Sequence, residues 1–330
     1  MKKKWRLLGS VVLVAVLAWR IDWTQAGTAL AHADWRLWAA ALGVYLFAQA
    51  VSSVRWRMLA RVQGFGGWLG RYLAYYFIGM FFNLLLPTSI GGDMVRTWYL
   101  ATREGSELPS ERRRAAAFLS VFGDRLNGLV ALVMVACAAA LCCPTPLPSW
   151  LRWIVAGLGA ATLLGVLALP WLSRLPPLPG PLRWVSECAG AFRRRPGVLL
   201  TATLLSFAVQ LANAVLLGLL GAALKLPVPP AYYGVLAPLV ALVALLPISL
   251  NGMGLRELAT VVLLQPLGVG SAEAVTLAVL SFAVSAVASA GGAGVLLLGR
   301  FPRPKEVQGD DHAVGGDSDQ GRARQPPAAA

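Results

Sequence analysis

The sequence predicts an all-α polytopic membrane protein: six full spans plus two broken re-entrant hairpins, arranged as an inverted-topology internal repeat. Three observations carry that prediction. The 330 residues are 57% hydrophobic and 13% charged, with a mean hydropathy of +0.65, whereas about a quarter of a soluble domain is charged. The basic residues that give a net charge of +14 fall in short clusters between apolar runs, which is a topology signal rather than a nucleic-acid footprint. Two of the apolar runs are interrupted by similar Pro- and Gly-containing stretches.

A spanning helix needs about 20 mainly apolar residues. Runs near 5–21, 35–54, 115–141, 151–171, 198–221 and 275–299 meet or approach that length. The first follows Lys2, Lys3 and Lys4 without a small-residue cleavage site after it, so it reads as a helix starting in the cytoplasm and not as a signal peptide. The second returns to Arg55, Arg57, Arg61 and Arg71, which the positive-inside rule also places in the cytoplasm. The next cluster is Arg103, Arg112, Arg113 and Arg114, so the stretch from Tyr72 to Thr102 must leave and re-enter on one side. Only fifteen residues precede Pro87 in that stretch, and Gly91-Gly92 follows, which favours a re-entrant hairpin.

Helix 115–141 leads out to the uncharged loop Pro144-Thr145-Pro146-Leu147-Pro148, and helix 151–171 returns to Arg174, Arg183, Arg193, Arg194 and Arg195. Helix 198–221 leads out again. The second broken stretch, 232–268, is flanked by loops poor in Lys and Arg and enters and leaves from outside. The last helix delivers Arg300, Arg303 and Lys305 to the cytoplasm, whereas Arg20, Arg36, Arg152 and Lys225 are the basic residues left outside. A multi-pass plasma-membrane protein with both termini cytoplasmic follows. Trp35, Trp150, Trp153 and Trp171 lie near the expected interfaces and read as anchors. Residues 182–195 read as a basic amphipathic surface helix, and 301–330 as a disordered cytoplasmic tail.

The two breaks resemble each other. Leu85-Leu86-Pro87-Thr88-Ser89-Ile90-Gly91-Gly92-Asp93-Met94-Val95-Arg96 aligns with Leu245-Leu246-Pro247-Ile248-Ser249-Leu250-Asn251-Gly252-Met253-Gly254-Leu255-Arg256, sharing Leu, Leu, Pro, Ser, Gly and Arg. The same offset relates the helices beginning near 35 and 115 to those near 195 and 275. Residues 1–300 therefore read as a transmembrane domain with repeats over 35–141 and 195–301. Inverted repeats with discontinuous helices bind substrate near the midplane, between the broken segments.

Non-helical backbone at membrane depth implies a polar cavity, and a restarting helix offers N–H groups to an anion. Arg96 and Arg256, just inside the restarts, oppose the helix dipole unless an anion is present. The expected lipid-headgroup site is therefore Arg96, Arg256, Asn83, Ser89, Gly91, Gly92, Asn251 and Gly252. Asp93, Asp124, Arg125 and Glu257 are the remaining charges in these apolar regions, each costing about 2.5–3.5 kcal/mol at a helix centre on insertion scales. They read as charge-balancing or translocation-path residues, or as structural pairs such as Asp93 with Arg96. Ser281, Ser285, Ser289 and Ala293 form a small-residue stripe suited to close helix packing. Cys137, Cys142, Cys143 and Cys188 have neither zinc nor redox spacing, and His32 and His312 sit in polar flanks, so no metal or cofactor is expected.

With these motifs in view, the sequence resembles the lysylphosphatidylglycerol synthase transmembrane-region family. The resemblance rests on Asn83-Leu84-Leu85-Leu86-Pro87, Gly91-Gly92-Asp93-Met94-Val95-Arg96, Asp124-Arg125 with Gly128, and Pro247 to Gly252 with Gly254, Arg256 and Glu257. It implies a lipid-handling role, the translocation of a charged lipid between leaflets, over nearly all of residues 1–300. About 30 residues follow the last helix, too few for the aminoacyl-transferase domain of the bifunctional synthases, so no enzyme activity is expected.

The expected function is a flippase-like lipid translocase for an anionic or aminoacylated phospholipid or a polyprenyl phosphate. The alternative is a non-transporting accessory protein for a lipid-modifying enzyme or glycosyltransferase. An intramembrane aspartyl protease using Asp93 and Asp124 fits poorly: Ile90 replaces the first glycine of the Gly-x-Gly-Asp signature, and an aspartyl dyad shares a proton, whereas Arg96 and Arg125 lie beside these residues. The expected partners are a membrane lipid and a lipid-synthesising enzyme or glycosyltransferase, with no nucleic acid.

Overall fold

The computed structural model describes residues 24, 27, 28, 31–85, 91–104, 109–142, 149–172, 195–246 and 252–298. The predicted helix at 5–21, Ser89 and Asn251 of the two breaks, most of the predicted surface helix at 182–195 and the tail lie outside the described residues. All of the regular structure among the described residues is helical. In chain order it comprises α1 (Trp35–Val62), α2 (Leu69–Leu85), α3 (Gly91–Arg103), α4 (Ser110–Cys142), α5 (Ser149–Leu172), α6 (Pro196–Ala223), α7 (Tyr233–Ala244), α8 (Leu255–Leu264) and α9 (Ser271–Leu298). Single 3₁₀ turns precede α7 and follow α8.

Five of these helices, α1, α4, α5, α6 and α9, are long and apolar enough to cross a membrane. Large apolar side chains such as Phe47, Leu164, Leu200 and Leu211 remain exposed on their outer faces. Lipid is the solvent that accepts such a surface without cost, and a helix is the form that satisfies its own backbone there. The protein is a multi-pass membrane protein.

Local chemistry sets the ends. Asp34 caps α1 by accepting the Arg36 N–H at 2.9 Å. Pro196 occupies the first turn of α6, where its missing N–H is not needed. Helix α1 runs past the expected end at 54 to Val62 because Trp56, Leu59 and Ala60 are buried and hold its last turns in the core. Both predicted broken stretches are pairs of short helices, α2 with α3 and α7 with α8.

The element order long, short, short, long therefore occurs twice, as α1 to α4 and α6 to α9, with α5 between. Trp35 and Pro196 open the two copies 161 residues apart, as Ser110 and Ser271 open their last helices. The packing repeats as well. Exchanging the copies converts each substantial contact between their helices into another that is present: α2 on α9 into α7 on α4, α1 on α2 into α6 on α7, and α2 on α3 into α7 on α8. The same holds for α3 on α4 with α8 on α9, α1 on α4 with α6 on α9, and α1 on α9 with α6 on α4.

The pair α1 and α6 maps onto itself and packs antiparallel. The Asp34 N–H before α1 donates to the Ala223 carbonyl at the end of α6, at 3.0 Å, while Leu59 near the end of α1 packs with Leu199 and Ala202 at the start of α6. Close approach of α2 and α9 depends on Gly292, where a Cβ would stand 2.1 Å from the Phe77 carbonyl oxygen. The core is aromatic around α2 and α3, with Trp56, Phe65, Tyr72, Tyr75 and Tyr99, and aliphatic around α7 and α8, with Leu236, Leu239, Leu263 and Leu264.

Candidate functional site

A cavity of about 500 Å³ lies between the two short-helix pairs and is walled by α1, α2, α3, α4, α6, α7, α8 and α9. Three arginines line it: Arg96 from α3, Arg125 from α4 and Arg256 from α8. Its neutral polar wall is Tyr45, Gln49, Tyr76, Asn83, Gln210, Asn213 and Thr260, with Ser281, Ser285 and Ser289 from α9. No carboxylate lines it among the described residues, and the breaks at 86–90 and 247–251 contain no Asp or Glu.

The arginines are held very differently. Arg96 is enclosed, its side chain 3% exposed, and bonded to Asp124 at 3.1 Å and Asp93 at 3.3 Å. Its guanidinium also lies 4.2 Å from the ring centres of both Trp56 and Tyr76, each contact contributing about 0.5–2 kcal/mol. Asp124 is shared with Arg55, whose Nε donates at 2.8 Å. Arg55 continues the chain to Ser206 at 2.7 Å, and Ser206 donates to Asn127. Arg125 clasps Asp93 with two N–H groups at 2.8 and 2.9 Å yet keeps 53% of its side chain exposed.

Arg256 is 20% exposed, stands 3.8 Å from Glu257 and lies 5.1 Å from the Phe282 ring centre. Burying these charges is tolerable only because most are paired. The Nε atoms of Arg96 and Arg256 are buried without a hydrogen-bond acceptor, so unused donor capacity remains at the cavity wall.

Of the expected headgroup residues, Arg96, Arg256 and Asn83 line the cavity, whereas Gly91, Gly92 and Gly252 are not among its lining residues. At each restart one of the N–H groups expected to be free for an anion already has an acceptor. The Gly92 N–H already donates to Asn83 Oδ1 at 2.7 Å, and α3 carries Asp93 in its first turn. At the other restart the Gly254 N–H donates to Glu257 Oε2 at 2.6 Å. These acids complement the dipoles themselves. Gly92 serves contact: a Cβ there would sit 1.9 Å from the Gly79 carbonyl oxygen, so α2 and α3 touch backbone to backbone. Gly252 forms a turn with φ +76° against Ala244.

Of the expected path residues, Arg125 lines the cavity. Asp93 and Asp124 stand behind its arginines, and Glu257 caps α8 beside Arg256. The Asp93–Arg96 pair forms, but as one link in a five-residue chain rather than as an isolated pair. Arg55 is also reassigned: the positive-inside reading placed it in a cytoplasmic cluster, and it is instead buried on Asp124. The serines read as a packing stripe reach the cavity, and close packing falls on Gly292, one position before Ala293. Gln49, Gln210 and Asn213 were not singled out in the sequence. Their signal was a carboxamide inside an otherwise apolar spanning run, and Gln49 and Gln210 hold the same position in the two copies.

Comparison with curated proteins returns no match. The family described as the lysylphosphatidylglycerol synthase TM region matches residues 5–292, which takes in every described helix of both copies except the last residues of α9, and the chain therefore belongs to that family.

Proposed function

We propose that this protein is a flippase-like translocase that receives the phosphate-bearing headgroup of a membrane lipid in the cavity between its two broken segments. The single observation behind the reading is that Arg96, Arg125 and Arg256, contributed by both copies, line one cavity with no carboxylate on its wall among the described residues. Guanidinium groups present paired N–H donors that match phosphate geometry. The antiparallel α1 and α6, equivalent in the two copies, support an inverted-topology repeat with the short pairs entering from opposite sides; the plasma membrane is the proposed location. Such repeats alternate access by moving one bundle against the other around a central site.

The protein works as a carrier and not as an enzyme. Asp93 and Asp124, which an intramembrane aspartyl protease would need to share a proton, are bonded to arginines and not to each other. The test is leaflet transfer of quenchable phosphatidylglycerol, aminoacyl-phosphatidylglycerol and polyprenyl phosphate in proteoliposomes, with Arg256→Ala beside the unmodified chain. Transfer that the variant loses is the expected result. No transfer of any lipid by folded protein would reject the translocase and favour an accessory protein acting with a lipid-modifying enzyme or glycosyltransferase.

A further inference from the structure

Given the proposed role of this cavity in binding lipid, we propose that it selects lipids whose headgroup is a net-anionic phosphate ester and discriminates against aminoacylated phospholipids. The inference rests on charge. In the cluster around the cavity four guanidiniums, those of Arg55, Arg96, Arg125 and Arg256, face the three carboxylates of Asp93, Asp124 and Glu257. Every arginine has a carboxylate neighbour, but the cluster as a whole carries one positive charge in excess. A phosphodiester headgroup brings one negative charge and completes the balance.

A lysyl-phosphatidylglycerol headgroup brings one phosphate and two ammonium groups, and those ammoniums need acceptors. The three acids are already committed: Asp124 to Arg55 and Arg96, Asp93 to Arg96 and Arg125, and Glu257 to the Gly254 N–H. What remains on the wall for a cation is neutral hydroxyl and amide oxygen and the rings of Tyr45, Tyr76 and Phe282, the last two already facing Arg96 and Arg256, next to the exposed side chain of Arg125. Like charges brought together in a water-poor cavity repel more strongly than in water. Arg256 lines the cavity with its carboxylate neighbour no closer than 3.8 Å, so its guanidinium has donors left for the phosphate.

The experiment compares binding and transfer with the full chain in zwitterionic phosphatidylcholine nanodiscs and vesicles. Phosphatidylglycerol, lysyl-phosphatidylglycerol and inorganic phosphate are titrated against the thermal unfolding midpoint, and leaflet transfer of each lipid is followed in parallel. The expected result is stabilisation by phosphatidylglycerol at concentrations about tenfold or more below those lysyl-phosphatidylglycerol requires, a preference set mainly by repulsion of the wrong ligand. Gln49→Glu, which adds a carboxylate to the wall, is expected to narrow that preference, whereas Gln49→Ala is expected to keep it.

Equal or stronger stabilisation by lysyl-phosphatidylglycerol, or none by either lipid, overturns the selectivity. Stabilisation by inorganic phosphate equal to that by phosphatidylglycerol overturns the assignment to a lipid. An anionic preference without leaflet transfer leaves the selectivity standing and removes the translocase. Equal transfer and equal binding of both lipids does the reverse.

Discussion

Arg96 in the first broken segment is surrounded by two carboxylates and two aromatic rings, while Arg256 in the second has one carboxylate at 3.8 Å and one ring at 5.1 Å. The scaffold is shared, so the difference lies in the side chains. In the register that sets Trp35 against Pro196 and Ser110 against Ser271, Arg55 corresponds to Leu216, Asp124 to Ser285 and Arg125 to Ala286. In the register of the breaks, Pro87 against Pro247, Asp93 corresponds to Met253. Charge is thus concentrated in one copy, and at these positions the other offers apolar and small residues. A cavity between such halves has a fixed side and an adaptable side: Arg96 is locked in place by its partners, and Arg256 is held by looser contacts.

The sharpest way to break this asymmetry is Asp124→Asn. It strands Arg55 in the interior and leaves Arg96 with Asp93 alone, and losing one partner of a buried ion network costs about 3–5 kcal/mol. A large drop in the thermal midpoint in detergent is expected, whereas Ser285→Ala, at the corresponding position of the second copy, should leave the midpoint nearly unchanged. Equal effects at the two positions would mean that the network does not stabilise the first copy.

Next in size is Gly92→Ala, whose Cβ would stand 1.9 Å from a backbone oxygen that cannot rotate away. Overpacking of this kind costs about 1–3 kcal/mol. Gly252→Ala, at the corresponding position, meets the Ala244 Cβ at 2.9 Å and a left-handed φ, and it should cost about 1–2 kcal/mol. Thermal midpoints of the two variants rank them directly, and the order Gly92 above Gly252 is expected.

Arg256→Ala separates function from stability. Because its ion pair is loose and it is partly exposed, the variant should unfold within a few degrees of the unmodified chain yet lose about tenfold or more in lipid transfer, equivalent to about 1.4 kcal/mol. Arg96→Ala should lose both, since it leaves Asp124 and Asp93 short of a partner. If Arg256→Ala transfers lipid at the full rate, the adaptable side of the cavity has been misassigned.

The sequence revealed the scaffold better than the site, for a physical reason. Apolar run length and the Pro/Gly interruptions report the cost of placing backbone in hydrocarbon, and that cost depends on local sequence alone. Five spanning helices and both short pairs were legible from it. Pairing partners are not local: Arg55 looked like one more basic residue after a span, and only the packing of α1 against α4 shows it reaching Asp124. The neutral amides Gln49, Gln210 and Asn213 carried a weaker signal, since one carboxamide in a spanning run is less conspicuous than a charge. The caps of the two restarts differ in the same way: Asn83 reaches the Gly92 N–H from the preceding helix, which sequence does not show, whereas Glu257 lies three residues after Gly254, at the spacing of a capping box.

The smallest expected effect concerns those restarts and how each half is hinged. In the first, the cap comes from across the break: Asn83 on α2 accepts the Gly92 N–H of α3, so the bond ties two helices together. In the second, Glu257 accepts the Gly254 N–H at the start of its own helix, α8. Each bond is worth about 1 kcal/mol, as helix caps generally are. Asn83→Ala should therefore do more than lower the midpoint slightly, since it loosens α3 from α2 and speeds amide hydrogen exchange over both. Glu257→Ala should speed exchange only in the first turn of α8. Confinement of the Asn83→Ala effect to the first turn of α3 would show that close packing through Gly79 and Gly92, and not the cap, holds the first pair together.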